Sequence, residues 1–140
     1  MTLKQPLSSD TIRVLIAEDN GDLRMAIRLL LDGEPDLRCV AETGNLDNIA
    51  QLSEEFQADV VLLDIELQGK SSLQILKTLQ SQQPKTRFLI HSGHAHADIQ
   101  RLAISSGASG FVVKSGDTLE LLTAIRSVMM HIPIYSARTG

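Results

Sequence analysis

Short apolar runs alternate along the chain with longer segments whose apolar residues recur every three or four positions. The runs read IRVLIA, LRCVA, VVLL, FLI and GFVV, and their β-branched and aliphatic residues favour buried strands. We predict five strands at 12–17, 37–41, 60–63, 88–90 and 110–113. The unbroken run VVLL is typical of a strand covered on both faces, as in a parallel sheet.

A segment with helical periodicity follows each of these runs. In the first such segment Asn20 or Asp22 suits the N-cap, and Gly33 and Pro35 end the helix. Its apolar positions have the i, i+3, i+4, i+7, i+8 spacing of one helix face and are Leu23, Ala26, Ile27, Leu30 and Leu31. The other predicted helices lie at about 46–56, 73–79, 99–105 and 119–130.

Five strand-then-helix repeats predict the fold class. Right-handed crossovers between parallel strands place helices on both faces of the sheet. We therefore predict a doubly wound α/β domain with a five-stranded parallel sheet. The predicted domain spans 11–130, with an N-terminal extension at 1–10 and a C-terminal tail or linker at 131–140. A chain of 140 residues is typical of one domain.

The charge of the chain argues against direct contact with nucleic acid. The sequence has 13 basic and 17 acidic residues, for a formal net charge of −4, and its basic residues are scattered. Binding by counterion release requires clustered Lys and Arg. Aromatic residues make up 3% of the chain, and Trp is absent from it, so few side chains are suited to stacking on bases.

Three further features predict a soluble cytoplasmic protein with no membrane association. The single cysteine, Cys39, has no intrachain partner for a disulfide, which fits a reducing compartment. No apolar run approaches the roughly 20 residues of a membrane span. The opening residues MTLKQPLSSD lack the apolar core of a secretion signal.

Polar residues directly follow four of the predicted strands. Ligands of an open α/β sheet bind outside the carboxyl ends of its strands, so these residues are the candidates for a functional site. They are Glu18, Asp19 and Asn20 after the first strand, Asp64 and Glu66 after the third, His91, Ser92 and Gly93 after the fourth, and Lys114 and Ser115 after the fifth.

Three of these residues predict a metal site. Two unit charges about 4 Å apart repel by roughly 4 kcal/mol at an effective dielectric constant near 20, so bringing Glu18, Asp19 and Asp64 together is unfavourable without a cation. A divalent metal would relieve the repulsion. Hard oxygen ligands favour Mg²⁺, with Mn²⁺ as a substitute, over Zn²⁺.

The same edge of the sheet is suited to phosphoryl transfer. Asp64 ends a central strand with little freedom to move, which makes it the best candidate nucleophile. A bound Mg²⁺ and Lys114 would neutralise charge on the phosphoryl oxygens, and Ser92 would donate a hydrogen bond to one of them.

Together these residues form a recognisable pattern, and over about 11–130 the sequence resembles response regulator receiver domains of two-component signalling. The motifs are the acidic pair Glu18 and Asp19, the strand-ending Asp64, and Ser92 and Lys114, which lie 22 positions apart. The closing GASGFVVKS is most similar to receivers of the group that includes transcription factors with helix-turn-helix outputs. The resemblance implies a flavodoxin-like fold.

The resemblance also implies a role for each matching residue. Asp64 matches the phosphoacceptor, and Lys114 matches the lysine that pairs with the phosphoryl group. The other implied roles are those of the switch residues Ser92 and Phe111 and of the metal ligands Glu18, Asp19, Asp64 and the backbone carbonyl of Glu66.

The implied function is signalling rather than enzymatic turnover. A histidine kinase or phosphotransfer protein would phosphorylate Asp64 in the presence of Mg²⁺, and the change would reach a downstream protein partner, an output domain outside this sequence, or a homodimer partner. The tail IPIYSA resembles the linker that precedes a helix-turn-helix domain. Both a stand-alone receiver and a piece of a longer regulator remain open.

One segment departs from the family pattern. Receivers usually carry a Met-Pro-Gly step after the phosphoacceptor, whereas this chain has Leu67, Gln68 and Gly69, and Ser72 replaces a customary Gly. Without the fixed φ of Pro, we expect this loop to be differently turned or more mobile. The departure favours an alternative function, a pseudo-receiver that binds partners independently of phosphorylation.

Two enzymatic alternatives fit the sequence less well. Phosphatases of the haloacid dehalogenase type carry a second Asp two positions after the nucleophile, where this chain has Glu66. A dinucleotide-binding enzyme needs G-x-G-x-x-G after the first strand, but the turn reads EDNGD.

Overall fold

The computed structural model describes residues 11–130 and the backbone of residues 134–135. The strands are β1 (Ile12–Ala17), β2 (Leu37–Thr43), β3 (Val60–Asp64), β4 (Glu66–Leu67), β5 (Lys70–Ser71), β6 (Arg87–Ser92), β7 (Gly110–Val113) and β8 (Ile134–Tyr135). The helices are α1 (Gly21–Asp32), α2 (Ile49–Glu55), α3 (Leu73–Gln82), α4 (Ala97–Ser105) and α5 (Thr118–Met129). A 3₁₀ turn at Leu46–Asn48 precedes α2.

The main sheet has the order β2-β1-β3-β6-β7-β8, and all of its strands are parallel. The five longer strands confirm the predicted doubly wound sheet. The two-residue strand β8 pairs beside β7 at the edge of the sheet, within the segment predicted as a tail. The predicted extension at 1–10 lies outside the described residues.

Three strands continue further than their apolar runs predict, and one of them is β3, which pairs with β6 as far as Asp64. Strand β2 pairs with β1 as far as Thr43, and β6 pairs with β7 as far as Ser92. His91 and Ser92 therefore lie inside β6, and the prediction that they follow the strand is wrong. The ladder to the neighbouring strands satisfies their backbone groups, so pairing outweighs side-chain polarity there.

The sheet separates two apolar layers. Helices α1 and α5 pack on one face, against alternate strand residues such as Val14, Leu62 and Leu89. Helices α2, α3 and α4 cover the other face, against residues such as Val61 and Phe88. Strand β3 is buried along its whole length, as expected for a strand covered on both sides.

Side-chain caps fix where two helices begin at the carboxyl edge of the sheet. Asn20 Oδ1 accepts the N–H of Leu23 at 3.1 Å, so Asn20 is the N-cap of α1. Asp117 Oδ1 accepts the N–H of Glu120 at 3.0 Å and caps α5. Each cap follows closely on residues of the predicted site, which ties the conformation of those turns to a helix start.

A small antiparallel hairpin occupies the segment that departs from the family pattern. Strands β4 and β5 pair through Glu66 with Ser71 and Leu67 with Lys70. The turn between them has positive φ at both of its residues, 51° at Gln68 and 78° at Gly69, as in a type I′ turn. Pro at position 68 could not form this turn, because Pro is incompatible with positive φ.

Within residues 11–130, no helix combines the length and the apolar composition needed to cross a bilayer.

Candidate functional site

Three carboxylates meet at the carboxyl edge of the sheet. Ala17 of β1 pairs with Leu63 of β3, so Glu18 and Asp64, which follow these residues, are neighbours. One oxygen from each of Glu18, Asp19 and Asp64 lies within 4.8 Å of the others. Glu18 is 2% exposed and Asp64 6% exposed, whereas Asp19 lies on the exposed rim. The structure thus brings together the three predicted metal ligands.

Lys114 joins the two buried carboxylates. Its Nζ lies 2.9 Å from Glu18 Oε1 and 3.0 Å from Asp64 Oδ2. The turn that carries it is anchored by the Lys114 N–H, which donates to the carbonyl of Ser92 at 2.7 Å. Three ionised carboxylates against one ammonium leave two negative charges without a partner in this cluster.

Burial and hydrogen bonding act in opposite directions on the pKa values of this cluster. Burial raises the pKa of Glu18, and the hydrogen bonds from Lys114 and from the N–H of Asn20 only partly offset that rise. Burial lowers the pKa of Lys114, but its hydrogen bonds to Glu18 and Asp64 outweigh this, and the net pKa is raised. Lys114 is therefore cationic at neutral pH.

The residues present fit a divalent cation such as Mg²⁺ or Mn²⁺. All three side chains offer hard oxygen ligands, the donor type that these ions prefer. No Cys or His belongs to this cluster, which separates it from the usual zinc sites. Such a cation would compensate the two remaining negative charges.

Glu66 lies next to Asp64 in the same loop. Its N–H donates to Asp64 Oδ1 at 3.3 Å, and its side chain is exposed. The backbone carbonyl of Glu66 remains a predicted metal ligand.

Ser92 and Phe111 share the face of the sheet that α2, α3 and α4 cover. Phe111 pairs with Ile90, two positions before Ser92, and both Ser92 and Phe111 are fully buried. The Ser92 hydroxyl oxygen accepts the N–H of His94 at 3.0 Å. That bond links the strand end to the segment leading into α4.

Two further residues hold the backbone of the site, and sequence reasoning assigned them no such role. Ser72 is fully buried, and its hydroxyl donates to the carbonyl of Asp64 at 2.7 Å. Arg24 Nη1 donates to the carbonyl of Glu18 at 2.6 Å, and its Nε pairs with Glu42 at 3.1 Å. In the sequence, Ser72 was noted only as a departure from Gly, and no motif pointed to Arg24.

Comparisons with known proteins agree with this fold. The family described as response regulator receiver domain matches residues 14–126, and the chain belongs to this family. The nitrate/nitrite response regulator protein NarP of Escherichia coli is 32% identical over 129 residues, which are 91% of this chain and 60% of that protein. The Fimbriae Z protein of Salmonella typhimurium is 29% identical over 126 residues, 90% of this chain and 60% of that protein.

A solved structure extends the similarity to the fold. A two-component response regulator of the LuxR family from Aurantimonas sp. SI85-9A1 superimposes with a TM-score of 0.84 at 28% identity, covering 90% of both chains. The chain is thus a two-component receiver domain similar to those of LuxR- and NarL-type response regulators. It spans about three fifths of the length of the two curated relatives named above.

His91 of β6 makes the stability of the domain depend on pH. Burial, together with the nearby charge of Lys114, lowers the pKa of His91 to about 4. An unfolded chain takes up this proton near pH 6.5, so unfolding binds a proton between these two values and stability falls as pH falls through that window. We expect this group to account for a loss of about 2 kcal/mol between pH 7 and pH 5.

Urea denaturation at both pH values checks this expectation. His91→Gln should lose less stability than the native chain over the interval, whereas exposed His96→Gln should lose as much as the native chain. An identical pH dependence in His91→Gln and the native chain would contradict it.

Proposed function

We propose that Asp64 accepts a phosphoryl group from a histidine kinase or phosphotransfer protein in a Mg²⁺-dependent reaction. The observation that carries the proposal is the ammonium of Lys114, placed 3.0 Å from Asp64 Oδ2 and 2.9 Å from Glu18 Oε1. Glu18, Asp19, Asp64 and the carbonyl of Glu66 would hold the metal. The domain then acts as a signalling module whose only chemistry is on itself.

Each residue of the site has a separate role in the proposed phosphoryl transfer. An oxygen of Asp64 attacks phosphorus as the bond to the donor's imidazole nitrogen breaks. Lys114 balances the charge that develops on the phosphoryl oxygens, and Ser92 donates a hydrogen bond to one of them. When bound, Mg²⁺ supplies further neutralisation of the same oxygens. Ser72 keeps Asp64 in place by holding its backbone carbonyl.

The pseudo-receiver alternative receives less support. Its main argument is the altered loop, but the loop forms a paired hairpin beside a complete acidic cluster. Two carboxylates bridged by a lysine are buried in this cluster, and burying charged groups is unfavourable unless they are paired. Their presence favours a role in phosphoryl transfer over a phosphorylation-independent binding module.

A small phosphodonor tests the proposed chemistry directly. Incubation of the native chain with acetyl phosphate and Mg²⁺ should add the mass of one phosphoryl group, as seen by intact mass spectrometry. Asp64→Asn and native chain with EDTA should gain none, because the nucleophile or the metal is missing. Asp98→Asn is the matched control, since Asp98 lies exposed at the start of α4, and should be modified like the native chain. A phosphoryl group on Asp64→Asn, or none on the native chain, would contradict the proposal.

Phosphorylation would switch the surface formed by α4, β7 and α5. The modification adds about 1.5 to 2 negative charges and three acceptor oxygens, which attract Ser92 and Lys114. Ser92 would then exchange its bond with His94 for one with the phosphoryl group, and Phe111 would occupy the vacated space. Turning a population from 1:99 to 99:1 requires roughly 5.5 kcal/mol, which a few charge-assisted hydrogen bonds can supply.

NMR spectra with beryllofluoride, a phosphoryl mimic, test the switch. With Mg²⁺ present, we expect the largest changes in amide shifts in α4, β7 and α5. Ser92→Ala, which lacks the hydroxyl, should show much smaller changes in α4 while still binding the mimic. Spectra of the native chain that superimpose in these elements with and without bound mimic would overturn the switch.

The output of the switch is a protein partner, a homodimer partner, or an output domain in a longer chain. The two curated relatives named above are each about two thirds longer than the region that matches this chain. The similarity to a LuxR-family regulator favours a helix-turn-helix output. We propose that this chain acts in the cytoplasm, where the lone Cys39 fits a reducing environment. Nucleic-acid contact would belong to such an output domain rather than to this chain.

A further inference from the structure

The three carboxylates of the site are not held equally. Glu18 and Asp64 are buried and share Lys114, whereas Asp19 lies on the exposed rim. Asp19 is tied instead to the hairpin after β3, because the backbone N–H of Gln68 donates to Asp19 Oδ2 at 2.8 Å. This bond connects two segments that are 49 residues apart in sequence.

The hairpin fixes the position of this donor. Leu67, directly before Gln68, is fully buried, and the β4–β5 pairs close the loop on both sides. The positive φ of Gln68 and Gly69 forms the tight turn that carries the N–H. A proline at position 68, where receivers usually carry one, would have no N–H and could not adopt this φ. The donor therefore depends on the sequence of this chain.

We propose that the backbone N–H of Gln68 is a positioning group for the metal site. It holds one oxygen of Asp19 and leaves the other available to a divalent cation. Carboxylates that bind metals are usually hydrogen-bonded in turn, and loss of such a partner weakens metal binding by about 10- to 100-fold. Since this bond is exposed to solvent, we expect the lower end of that range. The inference rests on the metal site of the proposed function.

Two substitutions at one position separate the N–H from the side chain. Gln68→Gly keeps the N–H and suits positive φ, whereas Gln68→Pro removes the N–H. Isothermal titration with Mg²⁺ alone should give Gln68→Gly an affinity within about twofold of the native chain, and Gln68→Pro an affinity about tenfold weaker. The melting temperature of each metal-free variant is measured alongside.

A third variant covers the case in which Pro disturbs the whole hairpin. An ester in place of the peptide bond between Leu67 and Gln68 removes only the N–H and should also weaken Mg²⁺ binding about tenfold. Equal affinities in the ester variant and the native chain would overturn the inference, as would equal weakening in Gln68→Gly and Gln68→Pro. In both cases the native chain still binds Mg²⁺, so the proposed function stands. No Mg²⁺ binding by the native chain would overturn both.

Discussion

The ion pairs of Lys114 with Glu18 and Asp64 are the interaction on which the site depends. Two carboxylates removed from water are tolerated because one ammonium contacts both of them, at 2.9 and 3.0 Å. The third carboxylate, Asp19, makes the cluster more negative than one lysine can balance. An excess of this kind favours a dication, and a lysine already in place can balance the charge of an incoming phosphoryl group.

The fold makes this arrangement possible by ending its parallel strands at one edge. The register of β1 with β3 places Glu18 beside Asp64, and the Asn20 cap begins α1 immediately after the acidic pair. Lys114 reaches the same point from β7 across the intervening strand β6. The buried layers on both faces of the sheet hold the strands that carry these residues.

Residues that follow apolar runs were the part of the site that the sequence could predict. Glu18 and Lys114 follow buried strands and Asp64 ends one, and parallel topology alone brings them to one edge. The polarity of His91 and Ser92 wrongly predicted that they follow the fourth predicted strand. They lie within β6, because ladder pairing extends this strand beyond its apolar run. The bonds of Ser72 and of the Gln68 N–H depend on a hairpin of two-residue strands, too short for periodicity to detect. Arg126, which bonds Asp36 at 2.7 Å across 90 positions, gave no local signal either.

The location of a bound ion shows directly whether the three carboxylates form a dication site. Mn²⁺, which takes the same oxygen ligands as Mg²⁺, gives an anomalous signal in diffraction from crystals of the native chain. We expect one strong peak within coordination distance of carboxylate oxygens of Glu18, Asp19 and Asp64, with Lys114 still directed at the cluster. An ion bound only elsewhere, or no ion at this edge under saturating Mn²⁺, would contradict it.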